Sequence, residues 1–160
     1  RTRVGQGFDI HRFVEGPSDL MLVLGGVKFP GEKPLAGHSD ADVIAHAAAD
    51  ALLGAAALGD IGMHFSDTDP QWAGANSLTL LAHVAKLVRA AGFEIGNVDC
   101  SIVCEQPKIA PHREAMQKLL SEAAGATITV KGRRAEGLGA LGREEGIACW
   151  AVAVIERTQA

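Results

Sequence analysis

The alanine- and leucine-rich stretch after Ser39 constrains the fold more than any other part of the chain. Alanine and leucine are the strongest helix formers, and they dominate the sequence as far as Leu58. Serine is a common helix N-cap, and Asp40 and Asp42 would then lie in a first turn, where the helix dipole favours negative charge. The stretch therefore predicts a long first helix that is capped by Ser39 and runs to about Leu58.

The flanking segments alternate between strand and helix patterns. Apolar runs bounded by turn residues predict strands over residues 3–11, 20–24, 27–29, 93–104, 127–131 and 147–155, the last of them central. Two more helices are predicted over 77–91, capped by Asn76, and from Pro111 through 114–124, while 60–74 and 132–146 have the composition of loops. This order predicts an α+β fold, with helices packed on one face of a mixed β-sheet. A length of 160 residues suits one domain, residues 1–160.

Composition narrows the classes of partner. The formal net charge of −4 and the absence of tyrosine argue against a nucleic-acid partner, because basic stripes and stacking platforms are both lacking. Apolar runs fall short of the roughly 20 residues that span a bilayer, and the first residues lack a signal-peptide core. We therefore expect a cytoplasmic protein of bacterial type, with a plastid as the open alternative. Cys100, Cys104 and Cys149 are expected to be buried thiols.

Charge is unevenly distributed along the chain. Between Pro34 and Ala85 there is no lysine, arginine or glutamate, yet this segment holds six of the aspartates and four of the six histidines. The segment contributes −6 to the net charge of −4, so the remainder contributes +2. Carboxylates without basic neighbours repel one another unless a cation or hydrogen-bond donors satisfy them. Metal binding is the first functional hypothesis.

Three side chains are suited to a metal. Asp9 and His11 lie at the end of a predicted strand, where residues two apart point the same way, about 7 Å from each other. His46 belongs to the first helix, with Asp42 and Asp50 one turn to either side on the same helix face. Two histidines and one aspartate match tetrahedral zinc with a fourth position open for an oxygen ligand. Ordinary core or surface residues would give the same spacing.

Further polar groups suggest a phosphorylated substrate. His38 and Ser39 would lie at a helix N-terminus, where free N–H groups favour an anion, although a simple N-cap has the same pattern. Short acceptors between Asp60 and Asp69 suit hydroxyl groups or a cation, and would equally form Asx turns. Basic residues after Gln106 and Lys131 surround Glu136, which is a possible carboxylate ligand for a hard cation, and solvated loop charges remain the alternative.

Several strings occur together in a specific order. They are Val4–His11, Gly37–His46, Asp50–Ala56, Gly59–Asp69, Gly96–Asp99, Pro107–His112 and Gly142–Ala148. Each string is weakly informative alone. In this order they cover nearly the whole chain, and the sequence strongly resembles the 2-C-methyl-D-erythritol 2,4-cyclodiphosphate synthase family of the non-mevalonate isoprenoid pathway.

The resemblance implies a phosphorus–oxygen lyase that acts as a homotrimer, with active sites between subunits. The substrate would be 4-diphosphocytidyl-2-C-methyl-D-erythritol 2-phosphate, whose 2-phosphate attacks the β-phosphorus and expels CMP to form the cyclic diphosphate. By the family pattern Zn²⁺ is held by Asp9, His11 and His46, and Glu136 helps to bind Mg²⁺ or Mn²⁺. Such phosphoryl transfer depends on positioning and charge stabilisation.

The family pattern also assigns the remaining site residues. His38 would stabilise the transition state, and a donor at position 134 would polarise the phosphates. The residues expected to bind substrate are Ser39, Asp60, Ile61, Gly62, Phe65, Asp67, Asp69, Cys104, Pro107, Lys108, Ile109, Ala110, Arg133, Ala140 and Arg143.

One segment departs from the family pattern. Where such enzymes usually carry three threonines, this chain has Arg133, Arg134 and Ala135, and Ala140 and Glu144 replace a common aromatic residue and glycine. The role of the threonine then falls to Arg134, whose guanidinium can clamp phosphate oxygens but can also crowd the cytidine. A zinc phosphohydrolase, or a metal-binding homologue with impaired catalysis, remain the competing hypotheses.

Overall fold

The computed structural model describes residues 1–159. The strands are β1 (Thr2–Arg12), β2 (Leu22–Leu24), β3 (Val27–Phe29), β4 (Phe93–Val103), β5 (Thr127–Arg133) and β6 (Gly146–Arg157). The helices are α1 (Val43–Ala55), α2 (Ile61–His64), α3 (Ser77–Ala90), α4 (Arg113–Ala124) and α5 (Gly139–Gly142). The predicted strands and the three long helices are confirmed, with shifts of a few residues at their ends.

The main sheet has the strand order β1-β6-β4-β5. Strand β6 is central and antiparallel to both β1 and β4, whereas β4 and β5 are parallel and are joined by α4. A parallel pair needs such a crossover connection, because a tight hairpin can join only antiparallel strands. The β2–β3 hairpin stands apart from this sheet. The arrangement confirms the predicted α+β class with a mixed sheet.

The two faces of the sheet have different neighbours. The inner face is buried beneath α1, α3 and α4, through residues such as Ile102, Ile128 and Ile155. The outer face of β1 and β6 exposes apolar side chains instead, namely Val4, Phe8, Ile10, Trp150 and Val152. The helices therefore cover one face of the sheet, and the other face presents an open apolar surface.

Two glycines bring β1 and α1 into backbone contact. A Cβ atom added to Gly7 would lie 2.0 Å from the carbonyl oxygen of Ala47, and one added to Gly5 would lie 2.1 Å from that of Ala51. Any larger residue would push the helix away from the strand. This contact sets the N-terminal half of α1 beside the second half of β1, which carries Asp9 and His11.

The predicted N-cap of the first helix is wrong by three residues. Ser39 is not the N-cap, because Ala41 adopts a left-handed backbone with φ of 56° and Asp42 caps the helix instead. The Asp42 carboxylate accepts hydrogen bonds from the backbone N–H groups of Ile44 and Ala45, both at 3.2 Å. The helix also ends at Ala55, before the predicted Leu58.

The two predicted loops contain short helical turns. The 60–74 segment includes α2 and a 3₁₀ turn at Pro70–Trp72, and the 132–146 segment includes α5. A 3₁₀ turn at Ala110–His112 precedes α4, so Pro111 lies in that turn and α4 itself begins at Arg113. These turns are too short to produce a recognisable period in the sequence.

The three cysteines are buried and unpaired, as predicted. Burial raises the pKa of the Cys104 thiol to about 12, so this thiol is protonated at neutral pH. Within residues 1–159, every helix falls short of the length and apolar character needed to cross a membrane.

Candidate active site

Three predicted ligands converge between β1 and α1. Oδ2 of Asp9 lies 3.1 Å from Nε2 of His11 and 3.0 Å from Nδ1 of His46. These ligand atoms all lie within 4.8 Å of one another, and His46 is almost completely buried. One cation can therefore contact one oxygen and two nitrogens, which is the donor set that the sequence predicted.

Hydrogen bonds on the far side of each ring orient the two histidines. Nδ1 of His11 lies 2.7 Å from the carbonyl oxygen of Ala36, so this nitrogen carries a proton, and in the neutral ring Nε2 presents a lone pair to Asp9. Nε2 of His46 lies 2.8 Å from the Ser77 hydroxyl, which turns Nδ1 towards Asp9. Lone pairs facing a carboxylate need a positive charge between them, so the donor set fits a metal cation.

The electrostatics of the triad agree with this geometry. Burial raises the pKa of Asp9, but the hydrogen bonds and the positive charge that protonated His11 and His46 rings would give it together outweigh burial, and the net pKa lies below its usual value. Burial, the largest single cause, lowers the pKa of His11, but the hydrogen bond to Asp9, the Asp9 charge and the hydrogen bond to the Ala36 carbonyl together outweigh burial, and the net pKa is raised. The Asp9 carboxylate is therefore ionised and attracts positive charge to this position.

Asp42 and Asp50 do not join the ligand group, although both flank His46 on α1. Asp42 is fully buried and binds the backbone N–H groups of Gly25 and Gly26 at 2.8 and 2.7 Å. Asp50 accepts a hydrogen bond from the N–H of Ile61 at 2.8 Å. These two carboxylates hold neighbouring segments against α1.

A cavity of about 400 Å³ opens over the triad. Nε2 of His38 lies 3.0 Å from the carbonyl oxygen of Asp69, which fixes the imidazole at the cavity wall. The predicted anion site at a Ser39 helix cap is wrong, because the first N–H groups of α1 already bind Asp42. The predicted residues that line this cavity are Asp9, His11, His38, Ser39, His46, Ile61, Gly62, Phe65 and Asp67.

A second cavity of about 290 Å³ lies at the C-terminal ends of the parallel strands β4 and β5. Its predicted lining residues are Cys104, Pro107, Lys108, Ile109, Ala110, Arg133 and Arg134. One guanidinium nitrogen of Arg134 lies 3.2 Å from the carboxylate of Glu105, which also accepts the Ala135 N–H at 2.7 Å. This pair lies at the edge of a pocket large enough for a small-molecule group.

Five predicted site residues line neither cavity. Asp60 caps α2 and Asp69 caps the Pro70–Trp72 turn, the local roles that the sequence left open as alternatives. Glu136 is exposed and has φ of 55°. Ala140 lies within α5, and Arg143 forms an ion pair with Glu145 at 2.7 Å.

Some lining residues were missed from the sequence. Trp72 and Leu80 complete the cavity over the triad, where Trp72 meets Phe65 edge to face at 4.9 Å. Glu105 and Arg113 border the second cavity. A tryptophan inside an otherwise polar loop was a usable signal for the first cavity, whereas Leu80 follows the ordinary apolar period of α3.

The fold and the triad together define an α+β protein with a candidate Asp-His-His metal centre beside a ligand-sized cavity. The YgbB family profile matches residues 2–156. A 2-C-methyl-D-erythritol 2,4-cyclodiphosphate synthase from Geobacillus thermodenitrificans is 50% identical, over 99% of each chain. One from Trichlorobacter lovleyi is 51% identical, over 96% of this chain and 98% of that one.

Solved structures agree with this match. The bifunctional IspDF of Campylobacter jejuni superposes with a TM-score of 0.92 at 38% identity, and the match covers 99% of this chain and 43% of that longer one. The CDP complex of IspF from Plasmodium falciparum gives a TM-score of 0.84 at 34% identity, over 99% of this chain and 97% of that one. The chain therefore belongs to the YgbB family of 2-C-methyl-D-erythritol 2,4-cyclodiphosphate synthases.

Cyclodiphosphate synthesis is accordingly the function of this chain. These relatives match nearly the full length at about 50% identity. They do not support the hypothesis of a zinc phosphohydrolase or that of a metal-binding homologue with impaired catalysis.

Proposed function

We propose that the chain converts 4-diphosphocytidyl-2-C-methyl-D-erythritol 2-phosphate to 2-C-methyl-D-erythritol 2,4-cyclodiphosphate and CMP, as a phosphorus–oxygen lyase. An oxygen of the 2-phosphate forms a bond to the β-phosphorus, and the bond from that phosphorus to the CMP oxygen breaks. The observation that carries the proposal is the Asp9, His11 and His46 triad at the floor of the larger cavity. Such a site can hold a phosphate close to a cation while the surrounding residues keep the substrate in the bent conformation that ring closure needs.

Zn²⁺ would be held by Asp9, His11 and His46, because two imidazole nitrogens and one carboxylate oxygen are a common catalytic zinc set. When bound, this ion supplies Lewis acidity and neutralises phosphate charge. We assign Glu136 to a second cation, Mg²⁺ or Mn²⁺, shared with the substrate phosphates. Its exposed carboxylate is available to a hard cation that keeps part of its hydration shell.

His38 and Arg134 are the proposed catalytic residues. His38 lies in the wall of the cavity over the triad, where its imidazole can contact the phosphate on which charge develops. The Arg134 side chain is 67% exposed and binds Glu105 through one nitrogen, so its other N–H groups are free for phosphate. A guanidinium gives a charge-assisted hydrogen bond where the family usually has a hydroxyl.

The two cavities suit different parts of the substrate. We assign the methylerythritol phosphate to the cavity over the triad, with Ser39, Asp60, Ile61, Gly62, Phe65, Asp67 and Asp69 around it. We assign the cytidine diphosphate to the cavity lined by Cys104, Pro107, Lys108, Ile109, Ala110 and Arg133. Ala140 and Arg143, from the segment that follows Arg133 in sequence, are assigned to the same part of the substrate. The structure from Plasmodium falciparum is itself a complex with CDP.

A homotrimer would bring these cavities together between subunits. Among residues 1–159, none lines both cavities. A substrate with a cytidine at one end and a methylerythritol phosphate at the other could therefore occupy both kinds of cavity only if they belong to different subunits. The outer face of β1 and β6 offers a surface for assembly, since the Phe8 and Trp150 rings contact each other there, with centroids 5.0 Å apart and planes tilted by 54°, and remain partly exposed. Contiguous exposed apolar side chains of this kind are typical of subunit interfaces.

The remaining proposals concern setting and partners. We place the enzyme in the cytoplasm of a bacterial-type cell, in the non-mevalonate isoprenoid pathway, with neither nucleic acid nor membrane as a partner. A net charge of −4 does not favour binding to the polyanionic surfaces of nucleic acids or membranes.

Phosphorus NMR of the reaction mixture tests the proposed reaction. The purified protein, supplied with Zn²⁺ and Mg²⁺, is expected to convert the diphosphocytidyl substrate to equal amounts of CMP and cyclic diphosphate. Asp9→Asn should abolish turnover, whereas Asp19→Asn removes an exposed carboxylate outside both cavities and should leave it intact. Linear products would indicate hydrolysis, and either linear products or no turnover would contradict the proposal.

A further inference from the structure

The buried side of His46 carries a hydrogen-bonded chain that the proposed reaction does not use. Oγ of Ser77 lies 2.8 Å from Nε2 of His46, and the Ser77 hydroxyl donates to Oδ1 of Asp40. Ser77 is 1% exposed and begins α3, so two segments far apart in sequence meet behind the metal ligand. The chain runs from Asp40 through Ser77 to the imidazole.

The direction of this chain is fixed by the donors around Asp40. Its Oδ2 accepts the backbone N–H of Ser77 at 3.0 Å, and its Oδ1 accepts the backbone N–H of Asp42 at 3.2 Å. A carboxylate held by these donors has only acceptor positions left for the Ser77 hydroxyl. The single hydroxyl proton therefore goes to Asp40, and Oγ of Ser77 must accept a proton from His46.

We infer that Asp40 and Ser77 are positioning residues that keep the His46 proton on Nε2 and so leave the Nδ1 lone pair free for a metal ion. With the proton on Nδ1 instead, His46 would present an N–H to Asp9 and could not be a ligand through that atom. Partners behind a ligating histidine commonly set its tautomer and ring orientation in this way. The inference rests on the metal site of the proposed function.

Ser39 extends the same argument into the cavity. Its Oγ lies 3.2 Å from Nε2 of His46, so it shares the imidazole proton as a second acceptor. Its own hydroxyl proton is then unused by His46 and is available to a ligand in the cavity that Ser39 lines. The tautomer that favours the metal thus also makes Ser39 a donor towards an anionic group.

Two variants test the chain from opposite ends. Ser77→Ala removes the acceptor of the His46 proton. Asp40→Asn keeps the size of the side chain but can present an NH₂ group to Ser77, which reverses the chain and moves the proton to Nδ1. Both should weaken Zn²⁺ binding by about 10- to 100-fold, the usual range for such partners, measured by competition with a chromophoric chelator. Thr79→Ala and Asp19→Asn are the matched controls, exposed and outside this network, and should bind Zn²⁺ as the parent does.

Nitrogen NMR of the His46 ring supplies a readout that a general loss of packing would not mimic. In the metal-free parent at a pH where the ring is neutral, and in the Zn²⁺ form, we expect the proton on Nε2; in Asp40→Asn we expect it on Nδ1. A parent protein with the proton on Nδ1 would overturn the inference even if neither variant folded. Parent-like Zn²⁺ affinity in both variants would also overturn it, while leaving the metal site intact. A parent that fails to bind Zn²⁺ would overturn the metal site as well.

Discussion

Arg134 is the residue at which this chain differs most in chemistry from the usual family pattern. Its guanidinium has five N–H donors, and the bond to Glu105 at 3.2 Å uses one nitrogen. Glu105 is itself fixed by the Ala135 N–H, so it restrains the arginine at the edge of the smaller cavity. A restrained cation is suited to stabilising phosphate charge without large reorganisation.

Substitution of Arg134 tests this role. Arg134→Thr restores the usual hydroxyl donor and should leave kcat/KM within about tenfold of the parent, or roughly 1.4 kcal/mol of barrier. Arg134→Ala removes the donor and should cost about 2–4 kcal/mol. Steady-state kinetics at saturating Zn²⁺ and Mg²⁺ measures both. An alanine variant as active as the parent would remove Arg134 from the mechanism, and two faster variants would show that the arginine obstructs the site.

Glu144 is a second departure from the pattern that the resemblance implies, and its backbone conformation is one that favours glycine. The residue has φ of 60°, a left-handed conformation that costs a side chain with a Cβ about 1–2 kcal/mol. Glu144→Gly should therefore raise the free energy of unfolding by about 0.5–1 kcal/mol, because the greater freedom of glycine in the unfolded chain offsets part of the gain. Glu144→Ala, which removes the carboxylate but keeps the Cβ, should match the parent in urea unfolding. Equal stability of all three proteins would contradict the strain.

At the scale of elements, Asp42 joins the β2–β3 turn to α1. Asp42→Ala would remove an N-cap and leave the N–H groups of Gly25, which is buried, and Gly26, which is half-buried, without their acceptor. We expect a loss of about 3 kcal/mol in the free energy of unfolding, from roughly 1 kcal/mol for each of these three contributions. Asn76→Ala, which removes a cap bonded only to Leu78, should cost about 1 kcal/mol. Similar losses in urea unfolding would argue against the special role of Asp42.

The same carboxyl group gives a pH dependence. Burial, assisted by the neighbouring charge of Asp40, raises the pKa of Asp42 from 3.8 to about 6. Between these values the folded protein holds a proton that the unfolded chain releases, so the contribution of Asp42 to stability falls as pH rises through this window. The stability difference between the parent and Asp42→Asn should therefore decrease by about 2 kcal/mol from pH 4 to pH 6, which is most of the roughly 3 kcal/mol expected across the whole titration at about 1.4 kcal/mol per pKa unit. A difference that does not vary with pH would contradict this assignment.

The choice of helix cap shows where sequence reasoning reaches its limit. Ser39, Asp40 and Asp42 are all suitable N-caps, and local propensity favours none of them strongly. The contact that selects Asp42 comes from Gly25 and Gly26, which no local pattern connects to this helix. The metal triad was predictable from strand alternation and donor type, whereas the link from Ser77 to His46 depends on how α3 packs against α1.

At the scale of the whole molecule, the two cavities give a test of the proposed trimer. His46→Ala impairs the cavity over the triad, and Lys108→Ala impairs the other. If each active site combines one cavity from each of two neighbouring subunits, mixed trimers of these inactive variants should regain a fraction of parent activity, because some interfaces pair two intact halves. Light scattering verifies the trimer, and mass spectrometry of differently tagged subunits verifies the mixing. No recovery in verified mixed trimers would count against a shared site.

The backbone contact between β1 and α1 has a consequence for the choice of ion. Moving the Cβ of a Gly7→Ala variant from 2.0 Å to beyond 3.0 Å of the Ala47 carbonyl oxygen requires the helix to retreat from the strand. His46, the preceding residue, would move away from Asp9 with it, although every ligand would still be present. The distance between the strand and the helix that carry the proposed ligands is thus set by a residue with no side chain. At the proposed metal site, the size of ion that fits would follow from how closely the helix packs on the sheet.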